Sequence, residues 1–286
     1  MPGEKKSLVV AIVGLGLIGG SLALSLKKVF KKRIQIIGID KDKKTLTKAR
    51  KTKIFTYLGK NDKNNKVEKS DIVFVCVTID QIPKILVSLS KLKLRKGSIV
   101  TDTGSTKHTI FEEAKKILPK GVNFVGGHPI AGTEKSGFEN ANPSLFYGRI
   151  FVISGIVGSK KSSKTIEKIW KKLGCNVVTV SPKEHDRIFS YLSHLPHVLS
   201  FGLDKLTSYH LSRKTIRSYG GTSYKDYSRI SASSKSLWSE IFLSNQNNLL
   251  NNIKSFKTYL TQLEDALTKE SKPKIISAIK SKASRA

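Results

Sequence analysis

The hexapeptide "GLGLIG" sets Gly14, Gly16 and Gly19 in a G-x-G-x-x-G spacing. In such a loop the first glycine permits a tight turn and the second lets a pyrophosphate approach the backbone. The third lets a helix pack closely on a strand, and the phosphates rest on the helix N-terminus. Asp40 closes the next apolar run about twenty residues further on, where a carboxylate can accept hydrogen bonds from an adenosine ribose. Leu17 and Ile18 within the loop, with Val77 and Thr78 at the end of "DIVFVCVT", complete a dinucleotide-facing set. The carboxylate of Asp40 would meet a 2′-phosphate with like charge and so favours NAD over NADP; Lys41, Lys43 and Lys44 soften that preference without reversing it.

The second kind of chemistry is acid–base. His128 stands in "GGHPIAGTEKSG" (126–137), a stretch whose glycines and Pro129 argue against a helix or a strand interior. A lone histidine on such a loop more often hydrogen-bonds the loop than does chemistry. Here, however, a redox cofactor is expected at the same edge of the fold, and a neutral imidazole is well matched to take a proton near pH 7. Ser105, in "TDTGSTKHT", falls at or just before a helix start, where it is either a plain N-cap or a hydroxyl facing the same crevice. His194 and His197 lie at i and i+3 with Pro196 between them, and no third ligand accompanies them, so no metal is expected. Trp238 suits core packing better than a stacking plate, and His108, His185 and His210 have no motif behind them.

The elements that must position these residues are legible as apolar runs. Residues 8–14, 34–40, 71–78, 97–102, 122–127, 150–155 and 176–180 have strand character, with a weaker candidate in "KIFTYL". Helical patterns such as "DQIPKILVSLSKLK", "KHTIFEEAKKILP" and "SKTIEKIWKKLG" lie between them. Continuous apolar strands alternating with helices predict a mostly parallel sheet covered on both faces. After Pro182 the pattern is helical throughout. The fold class expected is therefore α/β: a Rossmann-type dinucleotide domain over 1–181, followed by an all-helical domain over 182–286.

Composition bounds the remaining possibilities. At 286 residues with 38% apolar content and 8 prolines, the chain can bury a large core and is not globally disordered. No apolar run reaches the roughly 18 residues needed to cross a bilayer, so no membrane partner is expected. The run at 7–26 is punctuated by glycines and leads straight into the fold, unlike a signal peptide. Two cysteines exclude a disulfide framework and suit a cytoplasmic location. The formal charge of +31 raises the question of nucleic acid. Yet only nine of the 52 basic residues are arginine, and they are spread over the whole chain without a nucleic-acid-binding module. A solvated lysine-rich surface that draws in a polyanionic small substrate is the better reading, and no specific nucleic-acid partner is expected.

Together, "VGLGLIGGSLA", "DTGSTK", "GGHPIAGTEKSG", "SHLPH", and "SRI" followed by "LW" and "IFLSN" resemble the prephenate dehydrogenase family, which includes the arogenate dehydrogenases of tyrosine synthesis. The likeness runs from about residue 8 to 260, and the histidine loop and "SHLPH" are its specific parts. It implies NAD(P)-dependent oxidative decarboxylation of a cyclohexadienyl dicarboxylate, and a homodimer formed through the helical domain. It also implies roles: His128 as catalytic histidine, Ser105 as its hydroxyl partner and Arg229 as the anchor of a substrate carboxylate. His194, His197, Thr133, Glu134 and Trp238 would border the substrate. The chain departs from the family pattern at Thr222 and Ser223, in "YGGTSYKDYSRI". Prephenate is the expected substrate, because a strongly positive chain favours the dianionic keto acid and Glu134 is the only acid on the candidate loops to receive an ammonium group. The alternatives are arogenate, a hydroxyacid dehydrogenase that releases no carbon dioxide, and a cofactor-binding regulator acting on nucleic acid.

Overall fold

The computed structural model describes residues 7–62, 65–132 and 135–280. Eight strands form one sheet: β1 (Leu8–Val13), β2 (Ile34–Ile39), β3 (Tyr57–Gly59), β4 (Ile72–Val75), β5 (Ile99–Asp102), β6 (Asn123–Pro129), β7 (Ile150–Val157) and β8 (Asn176–Thr179). Their order is β3-β2-β1-β4-β5-β6-β7-β8, and every pairing is parallel except β6 with β7. The weak candidate in "KIFTYL" is the short edge strand β3. The chain reverses its direction of travel across the sheet between β1 and β4, which is where a doubly wound sheet opens a crevice for ligands.

Alternation along β1 explains why both faces are covered. Val10 and Ile12 face a core shared with Leu22, Leu26, Phe74 and Trp170, on the side of α1 (Leu17–Phe30) and α5 (Lys160–Lys172). Ala11 and Val13 face the opposite core, with Ile82, Leu86, Ile110 and Ala114 of α3 (Ile82–Ser90) and α4 (His108–Ile117). A strand buried on both sides needs apolar residues at every position, hence "LVVAIV". The remaining helix of this half is α2 (Lys43–Lys51), capped by Asp42, whose carboxylate accepts from the N–H groups of Lys44 and Thr45.

From Pro182 onward the described chain is helical: α6 (Pro182–Phe189), α7 (Leu195–His210), α8 (Arg213–Tyr219), α9 (Thr222–Ser231), α10 (Lys235–Ser244), α11 (Gln246–Thr268) and α12 (Lys272–Ile279). Residues Ser190–His194 join α6 to α7 as one π-turn. The two halves are stitched by polar contacts. Thr106 Oγ1 donates to Ser244 Oγ at 3.2 Å, and the Lys107 and His108 N–H groups donate to the Asp186 carboxylate at 2.7 and 2.9 Å. Among the described residues, no helix is long and apolar enough to cross a membrane.

One expectation is corrected. His128 and Pro129 are not in a loop: β6 runs through both, pairing His128 with Val152 and Pro129 with Phe151. The physical reason lies in the two preceding glycines. An ideal Cβ on Gly126 would stand 2.0 Å from the Ser154 carbonyl oxygen, and one on Gly127 would stand 2.6 Å from Phe151. These glycines permit close strand contact rather than break the strand. The register shifts by one residue between Val125 and Gly127, with Ser154 and Gly155 of β7 opposite Gly126. Gly155 takes φ +85° at this bulge. A bulge re-aims the side chains beyond it, and His128 is the second residue past the shift.

Candidate active site

The glycine loop connects β1 to α1. Gly14 turns the chain at φ +92°, and a Cβ on Gly19 would fall 1.9 Å from the Gly14 carbonyl oxygen, so the helix can sit this close to the strand only with glycine there. Gly16 is different, because a Cβ on it would meet nothing within 4 Å. The space beside Gly16 is open, and α1 begins there with no side-chain cap and no acid in its first turn. Leu17 and Ile18, partly buried, form that first turn. Asp40 braces the loop: its Oδ2 accepts from the Leu15 N–H at 2.7 Å, and its Oδ1 from the Asp42 N–H at 2.9 Å. Val77 lies against Gly14, and Thr78 is exposed just beyond, donating to Asp80 at 2.6 Å. An open cradle, free first-turn amides and a carboxylate at the end of β2 suit a dinucleotide's pyrophosphate and ribose.

His128 lies at the same edge of the sheet, three strand spacings from β1, or about 14 Å. Beneath it is a clamp built from "TDTGSTK". Asp102, fully buried at the end of β5, accepts from the N–H groups of Gly104 at 2.8 Å and Gly127 at 3.2 Å, and forms a buried ion pair with Lys107. The Gly127 bond ties the end of β5 to the residue preceding His128. Burial lowers the Lys107 pKa, and the Asp102 charge opposes that shift.

Ser105 lies in a bend two residues before the N-cap position of α4, partly exposed. Of its two expected roles the cap is removed. Lys107 occupies the N-cap position without a side-chain capping bond, and the amides are satisfied by Asp186 from the helical half. Its Oδ1 accepts from Lys107 N–H at 2.7 Å and its Oδ2 from His108 N–H at 2.9 Å. The capping residue therefore comes from far along the chain rather than from Ser105.

His185, which precedes Asp186 on α6, is the residue sequence reasoning left without a role. Its Nε2 lies 2.9 Å from His128 Nδ1, and its own Nδ1 lies 2.8 Å from Asp186 Oδ1. Phe189, one turn further along α6, packs against both rings with centroids 5.0 Å from His128 and 4.5 Å from His185. Burial holds the His128 pKa well below the usual histidine value, and nearby His185, Lys107 and His194 add to that. His185 is lowered chiefly by burial, with Asp186 opposing. His128 is thus neutral at pH 7, with a lone pair on one ring nitrogen.

The paired histidines form a neighbouring wall. His194, buried in the π-turn, accepts through Nδ1 from Asn245 Nδ2 at 3.1 Å, and burial pushes its pKa down to about 4. His197 donates from Nδ1 to the Ser193 carbonyl at 2.9 Å and stacks on Trp238, with centroids 3.4 Å apart. Trp238 is therefore both buried and a stacking partner, its other neighbours being His194 and Phe242. Arg229 is exposed on the last turn of α9, which is held to α7 by the Ser200 hydroxyl bonded to the Tyr227 carbonyl. It makes no ion pair among the described residues. Thr222 and Ser223, where the chain departs from the family pattern, open α9. Thr133 and Glu134 lie outside the described residues. Lys107 and Asp102 were also missed as site-builders; a lysine five residues after a strand-end aspartate was the available signal.

A mostly parallel sheet with a glycine loop at its switch point, a neutral histidine at the same edge and a helical second half defines a two-part dinucleotide-dependent dehydrogenase. Comparison with known proteins narrows the class. Residues 22–179 match the family description "Prephenate dehydrogenase, nucleotide-binding domain" and residues 181–281 match "Prephenate dehydrogenase, dimerization domain". The chain is 31% identical over 268 residues to the prephenate dehydrogenase of Bacillus subtilis, covering 90% of this chain and 71% of that one. It superposes on the crystal structure of prephenate dehydrogenase from Aquifex aeolicus, solved with hydroxyphenyl propionate and NAD+, with a TM-score of 0.85, 32% identity and 96% of each chain covered. For the arogenate dehydrogenase of Synechocystis the TM-score is 0.78 at 25% identity, with 94% of this chain and 95% of that one covered. The chain belongs to the prephenate dehydrogenase family, whose members are NAD-dependent dehydrogenases of prephenate-like substrates.

Proposed function

We propose that this chain uses NAD to convert prephenate to 4-hydroxyphenylpyruvate and carbon dioxide, a step of tyrosine biosynthesis. The observation that carries this reading is the half-buried, neutral His128, which follows the β6–β7 bulge at the same edge of the sheet as the glycine loop. Bound at Gly14, Gly16, Gly19 and Asp40, NAD would supply the hydride acceptor. As hydride leaves the hydroxyl-bearing ring carbon, its O–H proton passes to His128 and the oxygen becomes a carbonyl. The bond from the opposite ring carbon to its carboxylate then breaks. That electron pair flows into the ring, carbon dioxide departs, and the proton returns to the oxygen as the phenol forms.

Aromatisation supplies much of the driving force, so the protein chiefly orients the reactants and manages one proton. Ser105 supports the hydroxyl oxygen or His128. Arg229, whose planar fork no lysine reproduces, holds a carboxylate. His194, His197 and Trp238 border the substrate, and the family likeness adds Thr133 and Glu134 to that wall. The carboxylate of Asp40 favours NAD over NADP. Division near residue 181 assigns the dinucleotide to 1–181, and the substrate wall and subunit contact to 182–286.

A homodimer is part of the proposal. α7 is a 16-residue apolar-rich helix that buries only Ser200 within its own chain. Beside it, a groove of about 510 Å³ is lined by Val198, Phe201, Phe242, Leu243, Leu249 and Ile253. A second copy would cover this surface.

The test is to supply prephenate and arogenate separately with NAD and to measure NADH and carbon dioxide. Equimolar release of both from prephenate, at the higher kcat/KM, is expected. A higher kcat/KM for arogenate reverses the substrate, NADH without carbon dioxide indicates a plain hydroxyacid dehydrogenase, and no NADH from either removes the assignment.

A further inference from the structure

Hydrogen-bond parity runs through three side chains from opposite halves of the chain. It begins at Asp186, whose carboxylate oxygens accept the Lys107 and His108 amides at the positive end of α4. An ionised carboxylate only accepts. The hydrogen between Asp186 Oδ1 and His185 Nδ1, 2.8 Å apart, therefore belongs to His185. His185 is fully buried and close to the Lys107 ammonium, so its ring is neutral, and its Nε2 carries a lone pair. That lone pair faces His128 Nδ1 at 2.9 Å. The hydrogen on this second contact must then be on His128, and a neutral His128 with hydrogen on Nδ1 has a bare Nε2.

We infer that His185, itself held by Asp186, is a positioning residue that fixes His128 as the Nδ1–H tautomer and so leaves Nε2 as its proton-accepting atom. This rests on the reading of His128 as the base. The opposite tautomer would point an N–H at the substrate hydroxyl and could not take its proton. A cationic His185 would have the same effect, because its Nε2–H would donate to His128 Nδ1. The junction of the two halves thus decides whether the sheet histidine can work as a base. Seating α6 against α4 through the Asp186 cap is what closes it.

The experiment is long-range 1H–15N spectroscopy on protein carrying 15N-labelled histidine at pH 7.5, with H128N used to assign the signals. In the unaltered protein His128 should show a pyrrole-type Nδ1 and a pyridine-type Nε2. In H185Q the side-chain amide oxygen falls near the lost Nε2 and accepts the same hydrogen, so the pattern should persist. In H185N no acceptor reaches His128, and the two nitrogens should move toward a tautomer average. Turnover should follow: H185Q within about 5-fold of the unaltered kcat, H185N down by about 10- to 100-fold, and KM for the dinucleotide within about 2-fold in both. An Nε2–H pattern for His128 in the unaltered protein overturns the inference without any variant. So does an unchanged pattern in H185N, or equal loss of kcat in both variants. The spectra need no substrate, so a wrong substrate assignment leaves this result standing on its own.

Discussion

The ammonium of Lys107 is paired with the carboxylate of Asp102, and both side chains are almost wholly out of water, at 1% and 0% exposure. The pair lies directly under the His128 strand, because the other oxygen of Asp102 holds the Gly127 amide. Removing one member leaves the other as an uncompensated buried charge. K107M should therefore cost about 3–5 kcal/mol of stability. In a chain of this size that lowers the melting temperature by roughly 10 °C. Scanning calorimetry checks this, and a loss below 1 kcal/mol would show that the ion is not truly desolvated.

Gly16 and Gly19 should fail in opposite ways. A G16V side chain enters open space, so the melting temperature should hold while KM for NAD rises by about 10-fold or more. G19A places a methyl against the Gly14 carbonyl and should cost about 1–3 kcal/mol or more in overpacking. Parallel melting curves and cofactor titrations separate the two, and a destabilised G16V would contradict the open cradle.

Stability should depend on the buried His185 and His194 and the half-buried His128. Their folded pKa values are lowered, His194 to about 4, while in the unfolded chain they stay near 6.5. Below pH 6.5 the unfolded chain therefore binds protons that the folded chain refuses. Stability is full above that pH and is lost as the pH falls toward 4, by up to about 1.4 kcal/mol per pH unit for each such histidine. Urea midpoints between pH 7 and 5 should show this slope, and H194Q should flatten it by about one proton. A slope unchanged in H194Q would count against the assignment.

Arg229 is exposed and unpaired among the described residues, so R229A should fold normally. Its loss should raise KM for the acid substrate by about 10- to 100-fold, the worth of a charge-assisted bond, with a smaller change in kcat. R229K should recover only part, since an ammonium cannot form the bidentate fork. An unchanged KM in both would take Arg229 out of the site.

Light scattering at moderate salt, where the large positive charge is screened, should give twice the mass of one chain. L243K puts a charge into the groove beside α7 and should shift the protein toward monomer. A monomer for the unaltered chain at micromolar concentration would overturn the dimer.

Sequence alone determined the elements and the cofactor loop. A continuous apolar run such as "LVVAIV" demands burial on both faces, and glycine spacing encodes local backbone geometry, so β1, the turn and α1 were legible without a partner. That His128 lies at the same edge of the sheet as the glycine loop followed from its place at the end of the fifth apolar run. The strand running through His128 was not legible, because Gly126 and Gly127 look like breakers until the Ser154 carbonyl and the Phe151 ring fill the space where side chains would be. Only tertiary structure could set Asp186 on the N-terminus of α4 and His185 on His128, contacts spanning 78 and 57 residues. Periodicity records how much of a residue is covered, but a hydrogen bond depends on which atom does the covering, and that is decided when the helical half packs against the sheet.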